Sequence, residues 1–405
     1  MHNPLHTLHQ QNPLAEFQAY GPLAIVSTFG EPQAEYAAVR KGTALLDLPQ
    51  RGFIELMGKD RHAFLNNLLT NQTWDKSTKR GSAAGTGTYA FFLNLKGRIV
   101  ADTNVLEVVG ARTLIETDAR LVEMLRATFD LYLFAEQVKM TNRSNDLHEL
   151  ALHGRGAAAV LRQATGPAPP ALAPLGVATV RLFDVDAIVW RDDVCAVPGY
   201  YLIVPTTSAQ HVWTTLVERF GAATELGKRM LRPIGWAAFN AARIEAGRPM
   251  LDIDFAAAPP DRPGKKLSEA ELEAAASQAA GPANAGVLPA ETGMFSRAVS
   301  VTKGCYLGQE IVARMYARQQ VARQIAGFGM ADEHLPVAGA KVFDDKGNEV
   351  GVVTSSTVSP ILSNAAIGLA YLRRPFFTVG TKVTIPAEGA MREATVVETP
   401  FVKSE

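Results

Sequence analysis

The chain has 405 residues, of which 47% are hydrophobic and 20% charged, and forty Lys plus Arg stand against forty Asp plus Glu. That length calls for two or three cores, the composition is that of a folded protein, and the balanced charge excludes a global field for nucleic acid or anionic membrane. Two cysteines, Cys195 and Cys305, exclude a disulfide framework and fit a reducing, cytoplasmic compartment. Residues 1–13 lack the basic start and apolar core of a signal peptide, and no apolar run approaches the roughly 20 residues that span a bilayer.

Taken in chain order, His2, His6 and His9 read as part of a mobile tail. Residues 44–48 and 53–57 read as short strands, and Asp60 as the N-cap of a helix over 61–69 with Phe64, Leu65, Leu68 and Leu69 on one face. Extended runs at 88–95 and 98–109 flank Asn94-Leu95-Lys96-Gly97 and predict a hairpin with Gly97 at positive φ. Residues 85–90, Gly-Thr-Gly-Thr-Tyr-Ala, mimic a dinucleotide fingerprint but lead into a strand rather than a helix, so they read as a turn. A helix over 119–131 and strands at 138–140 and 149–153 follow, then a Pro- and Ala-rich surface connection at 166–175. Pro233 is placed to open a helix that Gly247 and Pro249 close. Residues 256–286 read as an exposed excursion, with Ser268 and Glu271 spaced as a capping box. Beyond 318, short alternating runs at 324–330, 341–343, 350–354, 367–371 and 382–385 predict a small β-barrel. The class is α+β, without a Walker loop, an H-E-x-x-H or paired C-x-x-C motifs, and no metal site is expected.

Two constellations carry chemistry. In the octapeptide 303–310, Lys-Gly-Cys-Tyr-Leu-Gly-Gln-Glu, two glycines bracket a thiol, and Lys303 and Arg314 bring positive charge that favours thiolate. Cys305 is then either a reactive, ligand-contacting residue or a small buried hydrophobe beside packing glycines. On the predicted helix, Ile234, Ala238, Ala241 and Glu245 share a stripe, which aims a carboxylate inward at a helix end that disfavours anions. Glu245 is therefore a site candidate or half of a buried ion pair with Arg232, Arg243 or Arg248. A carboxylate in an apolar pocket matches the paired N–H donors of a pterin, with Trp236 and Phe239 as stacking faces or plain core.

The runs Leu45-Leu46-Asp47-Leu48, Gly58-Lys59-Asp60, Leu68-Leu69-Thr70-Asn71, Arg243-Ile-Glu-Ala-Gly-Arg-Pro249 and Gly351-Val-Val-Thr-Ser-Ser356, with Gly368-Leu-Ala-Tyr371, resemble the glycine-cleavage T-protein (aminomethyltransferase) superfamily from about residue 40 onward. The cysteine of the octapeptide resembles its YgfZ-like branch. The resemblance implies a ring-like assembly of two mixed α/β, antiparallel-sheet domains and a C-terminal β-barrel. Its expected segments are 1–56 with 147–255 as a discontinuous folate-binding domain, 57–146 as an inserted α+β domain, 256–286 as the excursion, 287–318 as the octapeptide segment and 319–405 as the barrel. It also implies tetrahydrofolate or a one-carbon derivative as cofactor, held by Glu245, Phe239, Trp236, Lys303, Tyr306 and Arg314, with Cys305 and Asp102 as the chemically active residues. The T-protein pattern has two adjacent aspartates where this chain has Ala101 and Asp102, which weakens aminomethyl transfer. Arg51 stands where some YgfZ-like proteins have a tryptophan. The resemblance thus favours a folate-binding accessory factor for iron–sulfur cluster assembly or repair, and through it tRNA modification. Iron–sulfur proteins or assembly factors would be its transient partners, with no direct nucleic acid and no membrane. A folate-dependent aminomethyltransferase or demethylase is the alternative, and a scaffold without folate a third.

Overall fold

The computed structural model describes residues 3–166, 171–223, 229–261, 286–318 and 321–403. An α+β fold is built on two open sheets and a closed barrel. The six-stranded sheet runs Val177–Leu182, Val185–Arg191, Gly199–Pro205, Leu147–His153, Ala44–Asp47, Arg232–Ile234. It is buried on both faces, and the period-two alternation of a strand divides its side chains between them. Leu45, Leu150 and Leu152 enter one core with the helices Ala157–Thr165 and Ala209–Phe220. Ala44, Leu46 and Ala151 enter the other with the helices Pro32–Lys41 and Trp236–Glu245.

Pro233 does not open the helix. Arg232–Ile234 pairs in parallel with Ala44–Asp47 as the last strand of the sheet, and the helix begins at Trp236. An edge strand tolerates a residue with no N–H to donate. Gly235 makes the turn between them: its N–H donates to Glu35 Oε2 at 2.8 Å, and a Cβ there would fall 2.2 Å from the Ser27 carbonyl oxygen.

The five-stranded antiparallel sheet runs Lys139–Asn142, Arg51–Met57, Arg112–Asp118, Ile99–Val108, Gly87–Leu93. All of Arg51–Met57 pairs within it. The predicted hairpin is present, turning at Gly97 with φ +69°. Residues 85–86 lead into Gly87–Leu93 without a following helix. Asp60 does precede the helix Arg61–Leu68, but its carboxylate makes no cap and accepts the Gln137 N–H instead, at 2.8 Å.

The barrel closes in the order Arg323–Met330, Ala365–Arg373, Glu349–Ser359, Lys341–Phe343, Lys382–Ala387, Ala390–Val397. Five of these contain the predicted runs; Ala390–Val397 is added. The segment 286–318 wedges between barrel and five-stranded sheet, its Val287, Met294, Ala298 and Tyr306 sharing one core with Tyr89, Phe91, Leu369 and Tyr371. From residue 3 onward the expected mobile tail is ordered, with His2 outside the described residues: His6–Gln10 is a short helix, and His9 is 2% exposed. Its Nε2 lies 3.0 Å from Asp47, which also meets His148 Nε2 at 2.7 Å and the Asn3 amide at 3.0 Å. A buried carboxylate needs such partners, and the N-terminal segment supplies two of the three. Ser268 and Glu271 lie outside the described residues. Among the described residues no helix is long and apolar enough to cross a membrane.

Candidate functional site: a cavity between the two sheets

A cavity with about 700 Å³ of empty space, its open mouth included, lies where the two open sheets meet the helix Trp236–Glu245 and residues 248–250. One side is aromatic. Trp190 and Tyr201, neighbours on adjacent strands, stack with centroids 4.3 Å apart and planes 19° apart, and Trp236 and Phe239 face in from the helix with centroids 5.3 Å apart. Asp192 stands beside them, bonded to Arg248 Nη2 at 2.9 Å and Arg297 Nη2 at 2.7 Å.

The other side is polar and comes from four strands of the five-stranded sheet. Asp102 and Asn104 are two residues apart on Ile99–Val108 and so share its cavity face. Glu116 is the cross-strand partner of Asn104 and accepts its amide N–H at 2.7 Å. Glu116 also takes the Nε–H of Arg51, the first residue of Arg51–Met57. Tyr89 donates its hydroxyl to Asp102 at 3.1 Å. Burial pushes the Asp102 carboxyl up to about 6; Arg51 pulls against that shift, while Glu116 and Asp118 add to it. The spacing of two between Asp102 and Asn104 on one apolar strand is a signal present in the sequence, the pairing that sets Glu116 opposite Asn104 is not, and the expectation for Asp102 rests on the family resemblance.

The structure separates the predicted site residues. Asp102, Trp236 and Phe239 line the cavity; Glu245, Cys305, Lys303, Tyr306 and Arg314 do not. Glu245 is buried as expected, but its oxygens are already occupied by the Tyr36 hydroxyl at 2.7 Å, Arg40 Nη2 and the Ser359 hydroxyl. Its cationic partner is Arg40, from the neighbouring helix, rather than Arg232, Arg243 or Arg248. Lys303 Nζ is bonded to the carbonyl oxygens of Asn66 at 2.6 Å, Leu69 and Asn71 at 3.1 Å, where it closes the C-terminal end of Arg61–Leu68. Tyr306 is core beneath that ammonium. Arg314 pairs on the surface with Glu310 at 2.7 Å. Gly308, at φ +75°, lets the octapeptide pass close to the hairpin turn, where a Cβ would sit 2.5 Å from the Asn94 carbonyl oxygen. Cys305 is exposed, and Cys195 is buried. The octapeptide is thus mostly a structural wedge, from which one thiol emerges.

The model of the GCVT N-terminal domain family matches residues 6–259, and that of the glycine cleavage T-protein C-terminal barrel domain matches residues 323–403. Among curated proteins the chain is similar to the aminomethyltransferase of Chloroherpeton thalassium, with 25% identity over 403 residues that cover 99% of this chain and 98% of that protein. It is 27% identical to the aminomethyltransferase of Anoxybacillus flavithermus, covering 95% and 94%, and 24% identical to that of Bacillus subtilis, again covering 95% and 94%. Among solved structures, glycine cleavage system aminomethyltransferase T from Bartonella henselae shares the fold with a TM-score of 0.80, 21% identity and coverage of 99% and 98%.

Proposed function

Because the chain belongs to the glycine-cleavage T-protein family defined by the GCVT N-terminal domain, we propose that its cavity binds tetrahydrofolate and that Asp102 serves one-carbon transfer between an amine and that folate. The observation that carries this reading is Asp102 itself, buried at the cavity wall and hydrogen-bonded by Tyr89, with its carboxyl pushed up by burial to about 6. A carboxyl poised close to the working pH exchanges protons efficiently in both directions. Aromatic faces at Trp190, Tyr201, Trp236 and Phe239 fit a flat heteroaromatic ring of the pterin kind. The folate supplies the nitrogen that takes the one-carbon unit. Asp102 receives the proton that this nitrogen gives up, Tyr89 fixes the orientation of the carboxyl, and the buried walls keep water from competing.

Tetrahydrofolate should raise the melting temperature, and incubation with an aminomethyl donor should form methylenetetrahydrofolate. Asp102→Asn is expected to lower that transfer by about 10²- to 10⁴-fold while the folate-induced thermal shift persists. Unchanged transfer in this variant would remove Asp102 from the reaction.

A second reading is favoured by Ala101 and by the exposed thiol of Cys305. In it the protein is a YgfZ-like, folate-binding accessory factor for iron–sulfur proteins, and Cys305 faces a partner rather than the folate. Clusters are held by several thiolates, so a single exposed cysteine would act only together with groups from that partner. Cys305→Ser is then expected to leave folding and transfer unchanged while cells lose activity of iron–sulfur enzymes. Full cellular support by the serine variant rules this reading out.

A further inference from the structure

One end of the barrel carries charge that nothing offsets. Arg323 opens the strand Arg323–Met330, Arg373 closes its antiparallel neighbour Ala365–Arg373, and the two stand directly opposite each other in the register. Residues so paired point to the same face of a sheet, and like charges there repel. Arg374 follows at once, its N–H continuing the pairing to the Ala322 carbonyl oxygen at 2.9 Å. All three arginines line one open hollow, with about 900 Å³ of empty space when its mouth is included, together with Val321 and Ala322. Among the described residues none of the three guanidinium groups has an ion pair or a hydrogen bond. Arg373 and Arg374 are exposed and Arg323 is half-buried, so their donors can be reached from solvent. Arg323 is also held in place. Its guanidinium lies 5.2 Å from the centre of the Tyr371 ring, whose hydroxyl donates to Glu291 Oε2 at 2.7 Å. Glu291 accepts the Leu288 N–H as well, at 2.9 Å, and so does not pair with the arginines. This hollow and the cavity between the two sheets share no residue.

We infer that this end of the barrel is a binding site for a dianionic phosphate group, free or carried as a monoester. Guanidinium is always charged and presents its donors as a planar fork that matches phosphate oxygens in pairs. Two forks on directly opposed residues can grip one tetrahedral anion from both sides, and Arg374 adds a third cation at the rim. Charge decides between anions. A carboxylate offsets one guanidinium and leaves the opposed one bare, whereas a phosphate brings close to two negative charges and three strong acceptor oxygens. Solvent screening makes the empty arrangement cheap enough to persist, and an anion converts the repulsion between Arg323 and Arg373 into two charge-assisted contacts. Because Arg323 rests on Tyr371, and Tyr371 is bonded to Glu291 of the wedge segment, the bound anion also braces the junction between barrel and wedge.

The test is calorimetric titration and thermal melting of the full chain with orthophosphate, adenosine monophosphate or acetate at matched ionic strength. Orthophosphate is expected to bind saturably and to raise the melting temperature as it does so. Acetate is expected to do neither. A lower Kd for adenosine monophosphate than for orthophosphate supports a site for phosphate esters, and equal values support a site for the phosphate group alone. Arg373→Gln, which leaves Arg323 on Tyr371, should weaken phosphate by about tenfold or more. In chloride alone the same variant should melt at or above the wild type, because one of two opposed cations is gone. Arg323→Gln should weaken phosphate likewise. Lys382→Gln, which removes an exposed cation paired with Glu393 on another barrel strand, should bind phosphate as the wild type does. The inference is overturned if orthophosphate does not bind saturably, if acetate matches it, or if Arg373→Gln leaves its affinity unchanged. It is overturned as well if Arg373→Gln melts below the wild type in chloride, since Arg373 would then already have a structural partner.

Discussion

At Asp102 the local environment determines what a common residue can do. An exposed aspartate is ionised at every physiological pH and makes a poor proton carrier; burial raises this one to about 6. The groups that face it are Tyr89, Arg51, Glu116 and Asp118, of which only Arg51 favours the ionised form by its charge. With the carboxylate as the base, the protonated form below about 6 is inactive, so kcat/KM is expected to rise as pH climbs through that value. Arg51→Met removes the opposing cation and should move the limb to higher pH. A limb that stays in place in this variant, or survives in Asp102→Asn, would assign it to another group. Asp102 was legible in the sequence, but its tuning was not. Arg51 and Glu116 are 65 positions apart, and the strand pairing that joins them is a long-range event.

Among the elements, the octapeptide shows how a specific sequence pattern can have a mechanical cause. Lys303 closes the end of a helix, Tyr306 fills a core and Gly308 lets two backbones pass. Each requirement is strict, so the pattern is distinctive whether or not the thiol reacts. Gly308→Ala is expected to destabilise the fold by about 1–3 kcal/mol, because alanine must hold φ +75° and its Cβ must enter the space of the Asn94 carbonyl. Urea denaturation measures this, and an unchanged midpoint would mean that the loop yields freely. The helix boundary at Trp236 follows a similar logic. Pro233 carried a correct signal, that its N–H is not needed, but a helix start and a sheet edge both satisfy it.

Across the whole molecule, Glu245 ties separate parts together. It joins Tyr36 and Arg40 of one helix to its own helix and to Ser359 at the end of a barrel strand. Asp254 does the same with Arg243, Thr354 and Ser355. Buried ionic ties of this kind add little net stability when whole but are expensive to break from one side. Glu245→Ala should therefore cost about 3–5 kcal/mol by leaving Arg40 buried and unpaired, while tetrahydrofolate protects the variant as well as the wild type. Loss of folate binding at unchanged stability would return Glu245 to the ligand.

The sequence by itself determined the α+β class, the hairpin, the C-terminal barrel and the family, because period-two alternation, turn glycines and short motifs are local and survive at low identity. It also determined that Glu245 points inward and that Asp102 is a candidate acid or base. Only the tertiary structure decided what each of them meets. The inward direction of Glu245 follows from helical periodicity, but its partner Arg40 is 205 residues away. Gln50, Arg51, Asn104 and Glu116 look like scattered polar residues until cross-strand pairing sets them on one wall. A cavity is a property of surfaces brought together over long sequence separations, and no local pattern records which surfaces those will be.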